Sequence, residues 1–289
     1  MINSIHQAIR KIKSAFRYRF LPPFVDRVTT VAMMAADRKR KAEGVKSILI
    51  DNTVLAHSVT HETAWVDTGP ALWGNVEIGT GYVARIPVHD DLDDRIAVRS
   101  VRYLPGIANL ARREIITLCT SHELVDETWT QPVGRFRGYG MFDHSLFSNL
   151  KLETLEDSGY SMVIGGQSEF PTLQQQRKRR LESKSDPLYR ELISILGPKN
   201  SQDAWHITTA ERNSCYCFLT MDFKLISNVR AQAKNRVIRT LRTKVLTPEE
   251  FGQKFSIPPI PPRLFSYHDA SYPVIHRENW PNSERKGKG

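Results

Sequence analysis

Three aspartates stand at the ends of predicted structural elements, and their type and placement suit metal-ion chemistry. Asp51 directly follows the apolar run 48–50, Asp222 follows the apolar run 215–220, and Asp203 falls in the first turn of a helix that begins at Ser201. In an open parallel α/β sheet, the functional crevice lies outside the carboxyl ends of the strands. We therefore expect these side chains to converge there. Converging carboxylates repel one another, and a divalent cation such as Mg²⁺ or Mn²⁺ removes that repulsion.

A fourth acid is expected from the helix that follows the apolar run 115–119. Glu123 opens that helix, where its side chain can point to the same edge of the sheet as the aspartates. Asp126 lies one turn further on the same helix face. The alternatives to Glu123 are Glu114, Asp126 and Glu127.

The elements that must position these acids alternate between short apolar strands and helices. Four runs indicate buried strands, namely 48–50, 115–119, 215–220 and 244–246. Helices are predicted between or after them at 106–113, from Ser201, and from Thr247, where Pro248 and two early acids mark a helix start. This alternation predicts an α/β fold with a mostly parallel central sheet flanked by helices.

The chain divides into three regions by charge and composition. Residues 1–46 carry 11 Lys and Arg against three Asp and Glu, which accounts for +8 of the net charge of +10, and their apolar spacing predicts two amphipathic helices. We expect this extension to contact the parent domain, a second copy in a homodimer, or a protein partner. Residues 47–253 form the predicted domain, with insertions at about 62–95, partly a β-hairpin, and 130–195; residues 254–289 are a Pro-rich tail.

Composition narrows the class of protein. Hydrophobic residues make up 40% of the 289 residues, which excludes wholesale disorder, and the pI near 9.6 favours a polyanionic partner. Three cysteines are too few for a disulfide framework. No apolar run reaches the length of a membrane-spanning helix, so we predict no transmembrane segment and a cytoplasmic protein.

The acids and their neighbours together resemble the PIN-domain nucleases. The similarity covers residues 47–253 in five patches, and its most specific part is the block 203–225, with Asp203-Ala-Trp-His and Thr220-Met-Asp222. The other patches carry the first aspartate, the helix-borne glutamate and the closing strand and helix. They are Ile48-Leu-Ile-Asp51-Asn-Thr-Val-Leu55, Thr120-Ser-His-Glu123-Leu124 and Val245-Leu-Thr-Pro-Glu-Glu-Phe251.

The resemblance implies a PIN-like three-layer fold and metal-dependent hydrolysis of phosphodiesters, most often in RNA, with DNA not excluded. The metal ligands that it implies are Asp51, Glu123, Asp203 and Asp222, directly or through water, and they would bind Mg²⁺ or Mn²⁺. Thr220 matches a position where the family often keeps a hydroxyl that orients the site. The alternative function is a catalytically silent PIN-like module that binds nucleic acid or a protein partner.

Several further residues are candidates for orienting the site or for binding nucleic acid. Asn52 follows the first aspartate, and His206 shares the helix face of Asp203, where it suits a phosphate or water contact as well as a buried structural role beside Trp205. Basic residues mixed with aromatic ones suit single-stranded nucleic acid. The candidates for nucleic-acid binding are Arg135, Arg137, Tyr139, Lys39 and Arg40, with the run 177–180 as a weaker one.

Overall fold

The fold was described from a computed structural model, which covers residues 20–89, 95–129, 146–147, 150–157, 171–261 and 264. The helices are α1 Leu21–Ala42, α2 Asn52–His57, α3 Ile96–Val101, α4 Leu104–Arg112, α5 His122–Trp129, α6 Leu173–Glu182, α7 Pro187–Leu196, α8 Ser201–Arg212, α9 Phe223–Ala231, α10 Arg236–Thr240 and α11 Pro248–Phe255, with a 3-10 turn at Pro198–Asn200. The strands are β1 Ser47–Ile50, β2 His61–Trp73, β3 Val76–Pro87, β4 Thr117–Ser121, β5 Glu153–Leu155, β6 Cys217–Leu219 and β7 Lys244–Leu246.

Five of these strands form one parallel sheet in the order β5-β4-β1-β6-β7. In its register, Leu49 of β1 pairs with Cys119 of β4 on one side and with Phe218 of β6 on the other. The predicted α/β class with a parallel central sheet flanked by helices is therefore confirmed. The four predicted strands are β1, β4, β6 and β7, whereas β5 was not predicted from the sequence.

Helices cover both faces of the sheet because the side chains of β1 alternate between two cores. Ile48 and Ile50 face a core built with α1, α4 and α11, while Leu49 faces a second core built with α5, α7, α8 and α9. All three side chains are fully buried. A strand that is buried on both faces needs an uninterrupted apolar sequence, and this is the pattern that the sequence presents.

The order of the strands creates a crevice beside β1. From β1 the chain moves outward to β4 and β5 on one side, and then crosses back to form β6 and β7 on the other side. The direction of winding thus reverses between β1 and β6. Because the connections leave the carboxyl ends of these two strands in opposite directions, a gap opens there. Asp51 and Asp222, which follow β1 and β6, border that gap.

Helix α1 packs on the domain with only part of the apolar face that its sequence indicates. The sequence predicts a face made of Val28, Val31, Ala32, Ala35 and Ala36. Ala36 is fully buried against the first core together with Met33, and Ala32 packs beside them, whereas Val28 and Val31 are 52% and 66% exposed. The prediction was therefore wrong for the two valines, because α1 carries apolar residues on two faces and packing against α4 and α11 selects the buried ones. Residues 1–19 lie outside the described part.

The first insertion is the predicted hairpin. Strands β2 and β3 pair antiparallel from His61 with Pro87 to Trp73 with Val76, and Gly74 enters the turn with φ +64°, a conformation that favours glycine. The second insertion contributes β5, α6 and α7 within its described residues. The acidic loop 90–94 and the tail beyond residue 264 are not described. No helix in the described ranges is long and apolar enough to cross a lipid bilayer.

Candidate functional site

Asp51 occupies the centre of the carboxyl edge of the sheet, meaning the edge at which the parallel strands end. It follows β1 in an extended conformation, and only 7% of its surface is exposed. Its Oδ2 accepts hydrogen bonds from Thr53 Oγ1 at 2.5 Å and Thr220 Oγ1 at 2.6 Å. Burial raises the pKa of the Asp51 carboxyl, while the two hydroxyl bonds lower it. Both bonds fix the orientation of the carboxylate.

The same two hydroxyls fasten the loop after β6 to the start of α2. Thr220 Oγ1 accepts a hydrogen bond from the Asp222 backbone N–H at 2.9 Å, and Thr53 Oγ1 accepts one from the Met221 N–H at 2.9 Å. Each threonine therefore donates to Asp51 and accepts from the neighbouring loop. Thr220, predicted to orient the site, bridges the two aspartates at the winding reversal, and Thr53 performs a parallel role that the sequence analysis missed.

Asp222 stands at the N-terminus of α9 and caps that helix. Its Oδ1 accepts hydrogen bonds from the backbone N–H groups of Lys224 at 2.9 Å and Leu225 at 3.0 Å. Aspartate is a preferred residue at this position because its carboxylate satisfies helix N–H groups that have no partner within the helix. The cap holds one carboxylate oxygen of Asp222 against α9, beside Asp51.

Asp203 lies in the first turn of α8 and brings a third carboxylate to this edge. Burial and the negative charges of Asp51, Asp222 and Glu127 raise the pKa of Asp203 to about 6, although the nearby His206 acts in the opposite direction. Carboxylates from three separate elements therefore act on one another electrostatically. We call Asp51, Asp203 and Asp222 the acidic crevice.

His206 and Glu127 form a buried ion pair beside the acidic crevice. His206 Nε2 donates a hydrogen bond to Glu127 Oε1 at 2.7 Å, and the histidine is 2% exposed. Burial alone would lower the pKa of His206, but the carboxylates of Glu127, Asp51 and Asp203 outweigh it and raise the value to about 9. Burial would likewise raise the pKa of Glu127, but His206 lowers it. His206 is thus a buried cation at neutral pH.

Asn52 connects α2 to α5 rather than contacting the carboxylate of Asp51. Its Nδ2 donates to the Leu124 carbonyl at 2.7 Å and to Glu127 Oε2 at 2.9 Å. Gln202 at the start of α8 also donates to Glu127. Glu127 therefore collects hydrogen bonds from α2 and α8, which fixes α5 against both helices.

Glu123, the acid predicted from α5, takes part in a different cluster. Its carboxylate is 3.0 Å from Arg180 Nη2 and 3.6 Å from Arg177 Nε, and the neighbouring Asp126 is 2.7 Å and 3.1 Å from the same two arginines. We call Glu123 and Asp126, with these two arginines of α6, the arginine-clamped pair. The α5 carboxylate that acts on the pKa values of Asp51 and Asp203 is Glu127, one of the alternatives left open by the sequence.

The donor atoms of the acidic crevice match Mg²⁺ or Mn²⁺ in chemical type, since both ions prefer oxygen ligands. Burial is the largest cause of the raised pKa of Asp203, and the negative charges of Asp51, Asp222 and Glu127 add to it; a divalent cation would neutralise those charges. As the side chains stand, however, the described residues contain no group of three or more His, Cys, Asp or Glu arranged to hold a metal ion. Binding would therefore require the carboxylates to move closer together.

The residues predicted to bind nucleic acid do not gather at the acidic crevice within the described ranges. Arg135, Arg137 and Tyr139 lie outside those ranges. Arg40 bonds to Asp37 and to the Val45 carbonyl, next to the amino end of β1 and thus at the opposite edge of the sheet from the acids. Lys39, on the same helical turn, donates to Ser256 Oγ. The predicted contact of Lys39 and Arg40 with nucleic acid stays a prediction.

Comparison of the chain with protein-family models, with curated proteins and with solved structures found no match.

Proposed function

We propose that this protein is a metal-dependent endoribonuclease with a PIN-like three-layer domain. The observation that carries the proposal is the acidic crevice. Three carboxylates reach the winding reversal of a parallel sheet from three separate elements, and burial together with the repulsion of the neighbouring carboxylates raises the pKa of Asp203 to about 6. A metal-dependent site that cleaves phosphodiesters needs a cluster of negative charge to bind the metal ion. The bound ion in turn contacts the phosphate group.

Asp51, Asp203 and Asp222 are the residues that would hold Mg²⁺ or Mn²⁺. The bound ion would lower the pKa of a water molecule and neutralise charge that develops on the phosphate oxygens. Thr53 and Thr220 keep Asp51 aimed at the crevice, and the α9 cap does the same for Asp222. These residues would bind the metal ion or orient its ligands, and the nucleophile would be water, so the proposal requires no nucleophilic side chain.

The His206–Glu127 pair has a supporting role in this proposal. With its cation on α8 and its carboxylate on α5, it joins the two helices beside the crevice across a 2.7 Å hydrogen bond. Asn52 extends the connection to α2, which follows Asp51 directly. The pair therefore fixes the distance between α8, which carries Asp203, and α5, which carries Glu127 beside the crevice.

Cleavage of a labelled RNA in the presence of Mn²⁺ or Mg²⁺ tests the proposal. Asp222→Asn should reduce the cleavage rate at least about a thousandfold, because it removes a ligand charge, while asparagine still caps α9 and preserves the fold. Glu114→Gln, which removes an exposed acid before β4 at the opposite edge of the sheet, should cleave like the wild type. Unchanged cleavage by both Asp51→Asn and Asp222→Asn would rule out the acidic crevice as the active site.

A second candidate function is a catalytically silent module that binds nucleic acid or a protein. The observation that favours it is that cations of the chain itself neutralise several acids of α5. The chain supplies its own cations to Glu123, Asp126 and Glu127. Such a module would bind RNA without cleaving it at saturating Mn²⁺, whereas the enzyme would degrade the same RNA.

A further inference from the structure

A cavity of about 530 Å³ lies between α6, α7 and the start of α8. Five cationic side chains and one acidic side chain line it, so its lining carries an excess of positive charge. A concave surface lined by one sign of charge attracts polyanions and concentrates them locally. We call this cavity the basic groove. Its charged lining residues are Arg177, Lys178, Lys184, Arg190, Lys199 and Glu182.

The cations of the basic groove differ in whether an acidic side chain of the protein already binds them. Arg177 is held by Asp126 in the arginine-clamped pair, whereas Lys178 lies 3.8 Å from Glu182 in a largely exposed contact. Arg190 and Lys199 are exposed, and neither forms an ion pair with any residue of the described ranges. At least two cationic groups can therefore contact a ligand without breaking a buried interaction.

The basic groove reaches the start of α8, the helix that also carries Asp203 of the acidic crevice. Ser201 and Gln202, the first two residues of α8, form part of its wall, and Asp203 of the crevice is the next residue. Gln202 also donates a hydrogen bond to Glu127 beside the crevice. The groove and the crevice are therefore linked through the first turn of α8 and through Glu127, which acts electrostatically on Asp203.

We propose that the basic groove binds the phosphates of a single-stranded RNA and guides that strand into the acidic crevice. This inference rests on the proposed function, because the phosphodiester chemistry proposed for the crevice favours a nucleic acid over other polyanions and the proposed substrate is RNA. Tyr189 is the single aromatic residue among the groove's lining residues, so base stacking contributes little there. Binding should consequently depend on salt and little on base sequence.

Fluorescence anisotropy with a fluorescein-labelled single-stranded RNA of mixed sequence, in EDTA to prevent cleavage, tests the groove. The double variant Arg190→Glu/Lys199→Glu should raise Kd about tenfold or more. If two phosphate contacts are lost, the slope of log Kd against log salt should fall by about 1.4. The matched control is Lys46→Glu/Arg113→Glu, which reverses two exposed charges at the amino edge of the sheet. It should change Kd less than about twofold.

Equal weakening by the groove variant and the control would overturn the inference, because it would indicate general attraction to a basic protein. Displacement of the RNA by poly-glutamate at equal charge concentration would also overturn it, in favour of an acidic protein partner. Arg190→Gln/Lys199→Gln, with melting temperature measured alongside, separates loss of binding from loss of folding.

The inference and the proposed function can fail separately. RNA binding that requires the groove, without cleavage by the wild type in Mn²⁺, supports the groove and contradicts the nuclease. Cleavage that requires Asp222 but is unchanged in rate and Kd by the groove substitutions supports the nuclease and overturns the groove.

Discussion

The acidic crevice and the arginine-clamped pair place similar side chains in opposite electrostatic situations. Glu123 and Asp126 are almost fully buried, and two arginines of α6 neutralise them at 2.7–3.6 Å. The carboxylates of the crevice have one buried cation nearby within the described structure, His206, and its hydrogen bond goes to Glu127. The charges of the arginine-clamped pair sum to zero, whereas the acidic crevice retains an excess of negative charge.

This difference shows how acids of one type come to serve different purposes. A buried carboxylate that is matched by cations of its own chain contributes to holding elements together, here α5 and α6. A carboxylate left without such a cation is available to a cation from solution. It also raises the pKa of its neighbours, and at Asp203 this effect adds to that of burial.

Removing a cation from the arginine-clamped pair should destabilise the fold. Arg180→Met leaves two buried carboxylates with one arginine, so we expect the free energy of unfolding to fall by about 3 kcal/mol. Arg179→Met, which changes an exposed neighbour on the same helix, should have little effect. Urea denaturation measures both. Equal stability of Arg180→Met and the wild type would show that the clamp is not needed for folding.

The His206–Glu127 pair should make stability fall as the solution becomes more alkaline. The pKa of His206 is raised from 6.5 to about 9 in the folded protein, so its contribution is complete below pH 6.5 and is lost as the pH rises through about 9. The melting temperature should fall by about 5 °C across this range. His206→Gln should remove most of that dependence, and an unchanged slope in this variant would contradict the assignment.

The threonine bridge of the acidic crevice should have the smallest effect on stability. Thr220→Val keeps the shape of the side chain but removes its bonds to Asp51 and the Asp222 N–H, which should cost about 1–2 kcal/mol. Thr209 is an apt control, because its buried hydroxyl has no hydrogen-bond partner among the described residues. Thr209→Val should be neutral or slightly stabilising. Chemical denaturation of both variants distinguishes them.

The sequence was informative where local pattern determines structure. Apolar runs mark β1, β4, β6 and β7, and strand ends in a parallel sheet meet at one edge, so Asp51 and Asp222 could be placed together. The start of α8 likewise places Asp203 near them. The capping box at Thr247 and Glu250, which begins α11, is also a local signal that the structure confirms.

Long-range packing decides what the sequence could not predict. The choice between Glu123 and Glu127 depends on Arg177 and Arg180, which approach α5 from more than 50 residues away. Strand β5 is three residues long and mostly exposed, so it has no apolar pattern of its own and forms by pairing with β4. The buried face of α1 is likewise selected by its neighbours.

Titration calorimetry with Mn²⁺ shows whether the acidic crevice is a cation site and the arginine-clamped pair is not. The wild type and Asp126→Asn should bind Mn²⁺ with similar affinity, because Asp126 already has its cations. Asp203→Asn should bind at least about tenfold more weakly, because it removes a carboxylate ligand. Unchanged Mn²⁺ binding in Asp203→Asn, or an equal loss in Asp126→Asn, would contradict the account.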